Sequence, residues 1–366
     1  MALTRKEFIK KGCLYCSAGV FCLAGGSILL NACSPLEEPL QEDLEEKPAA
    51  WQPAYATMAA NGKLADRVEG FYRTLNHCTL CPRQCGVDRS AGERGFCQAP
   101  KNAVVYSHQP HFGEELPLVG NNGSGTIFFS NCNLRCVFCQ NYPIAHLGWG
   151  DQISDEEVAD MMLDLQNNGC HNINLVTPTH VLPNIVGATK IAYEKGLDIP
   201  LCYNTSGYEE VETIKMLEGI IDIYLPDLKF MDGEKAERYN LAKAYDYPEK
   251  AKKAIIEMHK QVGDLVTDER GTAKSGLMIR HLVMPNRVSS PKDFAYWVAE
   301  NLSKDTYVNI MSQYRVEFEA FEYEEIARAI TSEEYVEAME WAKEAGLNNL
   351  DERSLSQLNL HRRKID

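Results

Sequence analysis

Positive charge is scarce in this chain. Its 366 residues carry 37 Lys and Arg against 52 Asp and Glu, a formal net charge of −15. A protein that lives on DNA or RNA needs a basic footprint, so nucleic acid is excluded as the main partner. No internal repeat is present. The 16 Pro and 25 Gly are spread along the chain, and the 45% hydrophobic and 24% charged content is ordinary for a globular protein. That composition excludes wholesale disorder, collagen-like sequence and a polytopic membrane protein. The length suggests about two domains at ~150 residues each, although one barrel could absorb most of it. What is abundant is cysteine: 13 residues, unevenly spaced.

The first 33 residues read as an export or anchoring signal. Arg5, Lys6, Lys10 and Lys11 precede an apolar stretch from Cys13 to Leu30, and Leu30-Asn31-Ala32-Cys33 follows. Basic, apolar, then small before a cleavage point is the order of a secretory signal. Leu30–Cys33 resembles a lipobox, and Thr4–Lys10 resembles a twin-arginine signal with Lys in place of the second Arg. The alternative is one uncleaved membrane helix, since the stretch is near the minimum for a span. Residues 34–60 follow as an acidic linker. Glu37, Glu38, Glu42, Asp43, Glu45 and Glu46 sit among prolines, which favours extended chain.

Six short β-rich runs then alternate with amphipathic segments. The runs are Thr126–Ser130, Asn172–Thr177, Pro200–Thr205, Ile220–Leu225, Leu277–Met284 and Tyr307–Met311. Ser154-Asp155-Glu156-Glu157 is a capping box that opens a helix to about residue 168. Other helices are expected near 183–195, 209–218, 248–262 and 291–302. Strands alternating with helices imply a parallel sheet. Six units predict an α/β fold, a partial (β/α)6 TIM-type barrel, with chemistry at the C-terminal strand ends. Around the core at 121–315 lie a Cys-rich module at 61–120 and a helical extension at 316–366.

Directly after the first strand comes Asn131-Cys132-Asn133-Leu134-Arg135-Cys136-Val137-Phe138-Cys139. Three thiolates on one short loop can hold three irons of a 4Fe–4S cube. The fourth iron stays open, and an open position separates a catalytic metal site from a closed structural one. The rival is a zinc or electron-transfer site completed by a Cys elsewhere. Cys78, Cys81, Cys85 and Cys97 form a second group, which could hold another iron–sulfur cluster or zinc, or pair as disulfides in an exported protein. Cys170 and Cys202 read as small core residues.

Cys-x3-Cys-x2-Cys with an aromatic before the third Cys resembles the signature of radical S-adenosylmethionine (SAM) enzymes. Cys78-Thr79-Leu80-Cys81-Pro82-Arg83-Gln84-Cys85, with Gly92, Arg94, Gly95 and Cys97, is similar to the N-terminal module of the pyruvate formate-lyase activating enzyme-like group. Val176–His180, Tyr203–Tyr208, Pro226–Lys229, Arg280–Pro285 and Val308–Arg315 extend the resemblance over roughly residues 65–350. It implies that Cys132, Cys136 and Cys139 ligate the cluster and that Phe138 packs near the adenine of SAM. It also implies SAM contacts from Asn204 and Ser206 after strand three, Asp227 and Lys229 at the end of strand four, and His281 in strand five. Many members carry Gly-Gly-Glu after the second strand. Here that place reads Thr177-Pro178-Thr179-His180, so Thr179 and His180 are expected near SAM.

The implied activity is reductive cleavage of SAM and hydrogen-atom abstraction from a substrate. The implied partners are a low-potential electron donor such as flavodoxin or ferredoxin, a glycyl-radical enzyme as target, and a membrane through the N-terminal segment. A small molecule or peptide is the other target. The rival of another class is a membrane-anchored electron-transfer or metal-binding protein that does not cleave SAM.

Overall fold

In the computed structural model the described residues are 51–365. The export or anchoring signal at 1–33 and the acidic linker through residue 50 lie outside them. The rest of that linker departs from expectation. Ala54–Ala60 is an α-helix, and Tyr55 is fully buried with its hydroxyl donating to the Ile199 carbonyl at 2.8 Å. The acidic residues end at Glu46, and the Ala-rich sequence after Pro53 favours helix. No described helix is long and apolar enough to cross a membrane.

Nine strands are described: β1 Ala103–His111, β2 Ser124–Phe129, β3 Asp151–Ile153, β4 Ile173–Val176, β5 Leu201–Thr205, β6 Ile223–Pro226, β7 Val266–Thr267, β8 Ala273–Leu282 and β9 Tyr307–Met311. β2, β4, β5, β6, β8 and β9 are parallel neighbours in that order. Helices Asp155–Asn167, Leu182–Glu194, Val211–Met216, Tyr247–Val262 and Pro291–Asn301 lie in the crossovers. This is the anticipated partial (β/α)6 barrel. The capping box is present too: Ser154 Oγ accepts from the Glu157 amide, and the Glu157 carboxylate accepts from the Ser154 amide. β1 and β3 extend the sheet antiparallel beyond β2, and β7 pairs antiparallel with β8.

Side chains alternate between the faces of a strand, and that period builds the barrel interior in layers. Cys202, Ile223, Leu225, Ala273, Met278 and Tyr307 form an apolar cluster with Leu118, separate from the main core. Further along the same strands come Asn204, Asp227, Arg280 and Asn309. The lower interior is therefore an apolar plug, and the upper interior is polar and faces the C-terminal ends. At the far edge, the Tyr335 hydroxyl donates to the Ile310 carbonyl at 2.9 Å, and Leu350 bridges to Val308. The helices Ser332–Glu344 and Glu352–Ile365 thus cover β9 and protect an otherwise open sheet edge.

Candidate functional site

The loop after β2 is held from three sides. The Asn131 amide donates to the Ile144 carbonyl at 2.9 Å, Asn133 Nδ2 to the Tyr208 carbonyl at 2.8 Å, and the Val137 amide to the Tyr239 carbonyl at 3.0 Å. Two of its residues take the left-handed conformation, Asn131 at φ 76° and Arg135 at φ 55°. A loop so pinned carries Cys132, Cys136 and Cys139 to the wall of one cavity. Burial raises the Cys136 thiol above its ordinary pKa, against the pull of the Lys229 charge, and pushes Cys139 up to about 12. Bare thiolates are therefore disfavoured here. A metal that takes the place of the protons removes that conflict.

The cavity holds about 1020 Å³ free of protein atoms, counted to its open mouth. Phe138, Asn204, Ser206, Asp227 and Lys229 line it with the three cysteines. Asp227 accepts from Arg280 Nε at 2.7 Å and from Lys229 Nζ. Burial works against its charge, but Arg280 and Lys229 outweigh that and hold the carboxyl below its usual range. Arg280 Nη2 also donates to Asn204 Oδ1, and Arg280 Nη1 lies 3.4 Å from Glu114. The Ser206 hydroxyl is buried with no partner. An unpaired buried hydroxyl is costly, and one on a cavity wall suits a polar ligand. Three thiols, a fixed charge pair and a free hydroxyl around one space fit both a cluster and the amino-acid part of SAM.

Three expected residues are not on this wall. Thr179 is buried and donates to Glu209 Oε1 at 2.6 Å. After Pro178 the chain enters a 3-10 turn, Thr179–Val181. That turn carries the His180 ring beneath the cysteine loop, where Nε2–H donates to the Ser130 carbonyl at 2.7 Å. His281 stands on the other face of β8 from Arg280 and Leu282. Its Nδ1–H donates to the Leu228 carbonyl at 2.7 Å, and its ring stacks on Phe294 at 4.2 Å.

Other wall residues were not singled out from sequence. Thr177, the first residue after β4, lines the cavity at φ 61°, a conformation that β-branched residues avoid. Arg280, Leu282, Met311 and Gln313 line it as well. A signal existed for Arg280, a charged residue inside an otherwise apolar strand. Nothing in the sequence announces the backbone of Thr177.

Cys78, Cys81, Cys85 and Cys97 gather around a second cavity with Arg83, Arg89, Gly95 and His180. All four are free thiols in this arrangement.

Residues 126–269 match the model of the Radical SAM superfamily. The chain is 32% identical over 292 residues to "Uncharacterized protein MJ0674" of Methanocaldococcus jannaschii, covering 77% of this chain and 79% of that one. A second protein of the same organism, "Uncharacterized protein MJ0808", is 26% identical over 168 residues, covering 40% and 49%. Among solved structures, methylornithine synthase (PylB) is similar with a TM-score of 0.36 and 14% identity, over 60% of this chain and 67% of that one.

Proposed function

Because this chain belongs to the radical SAM superfamily, we propose that it cleaves SAM reductively at the cavity above the barrel and abstracts a hydrogen atom from a substrate bound there. Membership implies an enzyme with a 4Fe–4S cluster, SAM and a reductant. The proposal beyond that concerns these residues. Cys132, Cys136 and Cys139 would hold the cluster, with Phe138 beside the adenine of SAM and Asn204, Ser206, Asp227 and Lys229 orienting the rest of the molecule. Bound there, the cluster would supply the one electron needed for reductive cleavage of SAM.

The chain's own part is to position. Arg280 fixes Asn204 and Asp227 in one plane of contacts, and Asp227 fixes Lys229, so neither polar strand end is free to rotate. Phe138 is buried against Phe230 and Tyr314, with ring centroids 6.0 and 6.1 Å away, and forms an apolar part of the wall. The observation that carries the reading is that the three cysteines and four polar strand-end residues share one cavity.

Anaerobically reconstituted and reduced protein should release 5′-deoxyadenosine from SAM. The variant with Cys132, Cys136 and Cys139 all replaced by Ala should not. Release by that variant, or none by the wild type, overturns the assignment and favours an electron-transfer or metal-binding protein. The target proposed from the motif pattern that resembles activating enzymes is a glycine of a partner enzyme, with flavodoxin or ferredoxin as donor; a small molecule or peptide is the alternative target. Attachment to a membrane through residues 1–33 belongs to the same proposal.

A further inference from the structure

We infer that Cys78, Cys81, Cys85 and Cys97 hold a second metal centre, a 4Fe–4S cube, whose negative charge is balanced by Arg83 and by the buried guanidinium of Arg89. The backbone first brings the four together. The Cys78 amide donates to the Val87 carbonyl at 3.0 Å, and the Gly86 amide returns to the Cys78 carbonyl at 3.0 Å. Inside that hairpin the Gln84 amide donates to the Cys81 carbonyl at 2.9 Å, with Gln84 in the left-handed region at φ 40°. A second turn, closed from the Gln98 amide to the Gly95 carbonyl at 3.0 Å, delivers Cys97. A Cβ on Gly95 would lie 2.8 Å from Cys85 Sγ, so the two turns can meet only over a glycine. The thiols line a space of about 360 Å³ free of protein atoms, counted to its mouth.

Charge supplies the independent observation. Arg89 is 1% exposed. Its Nη1 donates to the His180 carbonyl at 2.7 Å and its Nη2 to the Pro100 carbonyl at 2.5 Å, while Nε has no partner. No carboxylate lines this cavity. Glu209, buried nearby, directs its hydrogen bonds to Thr179 and Thr205. Arg83 also lines the cavity, and its buried Nε is likewise unpartnered. A buried cation without a counter-charge is strongly unfavourable. Thiolates bound to a metal supply that counter-charge where four thiols and two guanidiniums meet.

Spacing favours a cube over a single ion. Zinc needs its sulfurs ~2.3 Å from one point, hence about 3.8 Å from one another. Among the described residues no three Cys, His, Asp or Glu side chains close on an ion-sized point. A cube takes its thiolates at four separate corners, as four residues spread around one space allow.

The test uses the full chain reconstituted anaerobically with iron and sulfide. The Cys132→Ala, Cys136→Ala, Cys139→Ala variant leaves this centre intact. It should keep about four irons and four sulfides, with a reduced-state EPR signal indifferent to SAM, while wild type holds about twice that. Replacing Cys78, Cys81, Cys85 and Cys97 by Ser should leave about four irons and a signal that responds to SAM. Should that quadruple variant not fold, the triple variant decides alone. In the triple background, Arg89→Met should move the midpoint potential to more negative values, because a cation that favours the reduced cluster is gone. An unchanged potential overturns the charge balance. A triple variant without iron and sulfide, or with one zinc per chain, overturns the cube. These readouts do not depend on SAM cleavage, so either inference can fail alone.

Discussion

Asp227→Asn tests the polar layer on which the proposed site rests. The substitution keeps the shape of the side chain and removes its charge. Wild-type Asp227 is nine-tenths buried, and its carboxylate faces Arg280 Nε at 2.7 Å and the Lys229 ammonium. At an effective dielectric of ~20 that separation gives roughly 6 kcal/mol of attraction for the Arg280 pair, much of which offsets desolvation. Removing one partner of a buried pair costs about 3–5 kcal/mol. Arg280 would keep Glu114 at 3.4 Å and the Asn204 amide oxygen, so the low end, about 3 kcal/mol, applies. For a chain of this size that is roughly a 4 to 5 °C fall in Tm. The assay is thermal unfolding of the apoprotein, repeated in an Arg280→Gln background. Coupling of about 2 kcal/mol between the two changes is expected. The carboxyl is held below its ordinary range, so its contribution is complete above about pH 4 and fades only as pH falls further. The difference between wild type and variant should therefore be flat from pH 5 to 8. A Tm within 1 °C of wild type, or no coupling, would refute the layer as a source of stability.

Thr177→Gly should hold or raise stability by up to about 1 kcal/mol, because relief of left-handed strain exceeds the entropic cost of glycine. Thr177→Ala, which keeps the strain, should not, and a Tm comparison of the two separates strain from contact. The second test concerns acid. Burial lowers His281 and His180 to a pKa of about 4, against ~6.5 unfolded. Each imidazole therefore binds more protons unfolded than folded between those values, and the stability it contributes is lost as pH drops from 6.5 toward 4. Half-buried His146, also lowered to about 4, acts in the same sense, and Glu209 and Asp222, raised by burial to about 7, act in the opposite one. The stability of wild type relative to His281→Phe should therefore fall by roughly 1.5 kcal/mol between pH 6.5 and 5, and a difference that does not change with pH counts against the buried neutral imidazole.

The strands were readable because β-rich runs of four to eight residues repeat between amphipathic segments, and each run found its place in the parallel order. β1 was not. Its sequence Ala-Val-Val-Tyr-Ser-His-Gln-Pro-His is largely exposed or half-buried and contains a proline, and only its antiparallel pairing with β2 and β3 makes it a strand. In the site, the cysteines were legible because metal chemistry fixes their spacing on one loop. Asn204 and Asp227 were legible as polar residues that end apolar runs. His281 failed on parity. Arg280 and Leu282 face the cavity, so the residue between them cannot, and a period-two reading of that strand carried the answer. His180 failed for a different reason: the 3-10 turn after Pro178 sets the direction of its ring, and no periodicity reports such a turn.

The strained turn and the charge layer are parts of one construction. A β-branched residue stays at positive φ only where its surroundings over-determine it. The Thr177 amide donates to the Asn204 carbonyl at 2.9 Å, and the Asn204 side chain is held by Arg280, which Asp227 holds in turn. In the family that this chain resembles, the corresponding turn commonly carries glycines, which take such backbone freely. Here the hydrogen bonds across β4, β5, β6 and β8 do what glycine does elsewhere. Loosening Asp227 should therefore reach the cavity wall through Asn204 and Thr177, three residues that all line it. The same Asp227→Asn variant that loses stability should bind SAM more weakly, whereas His281→Phe, on the opposite face of β8, should change stability and leave SAM binding as it was.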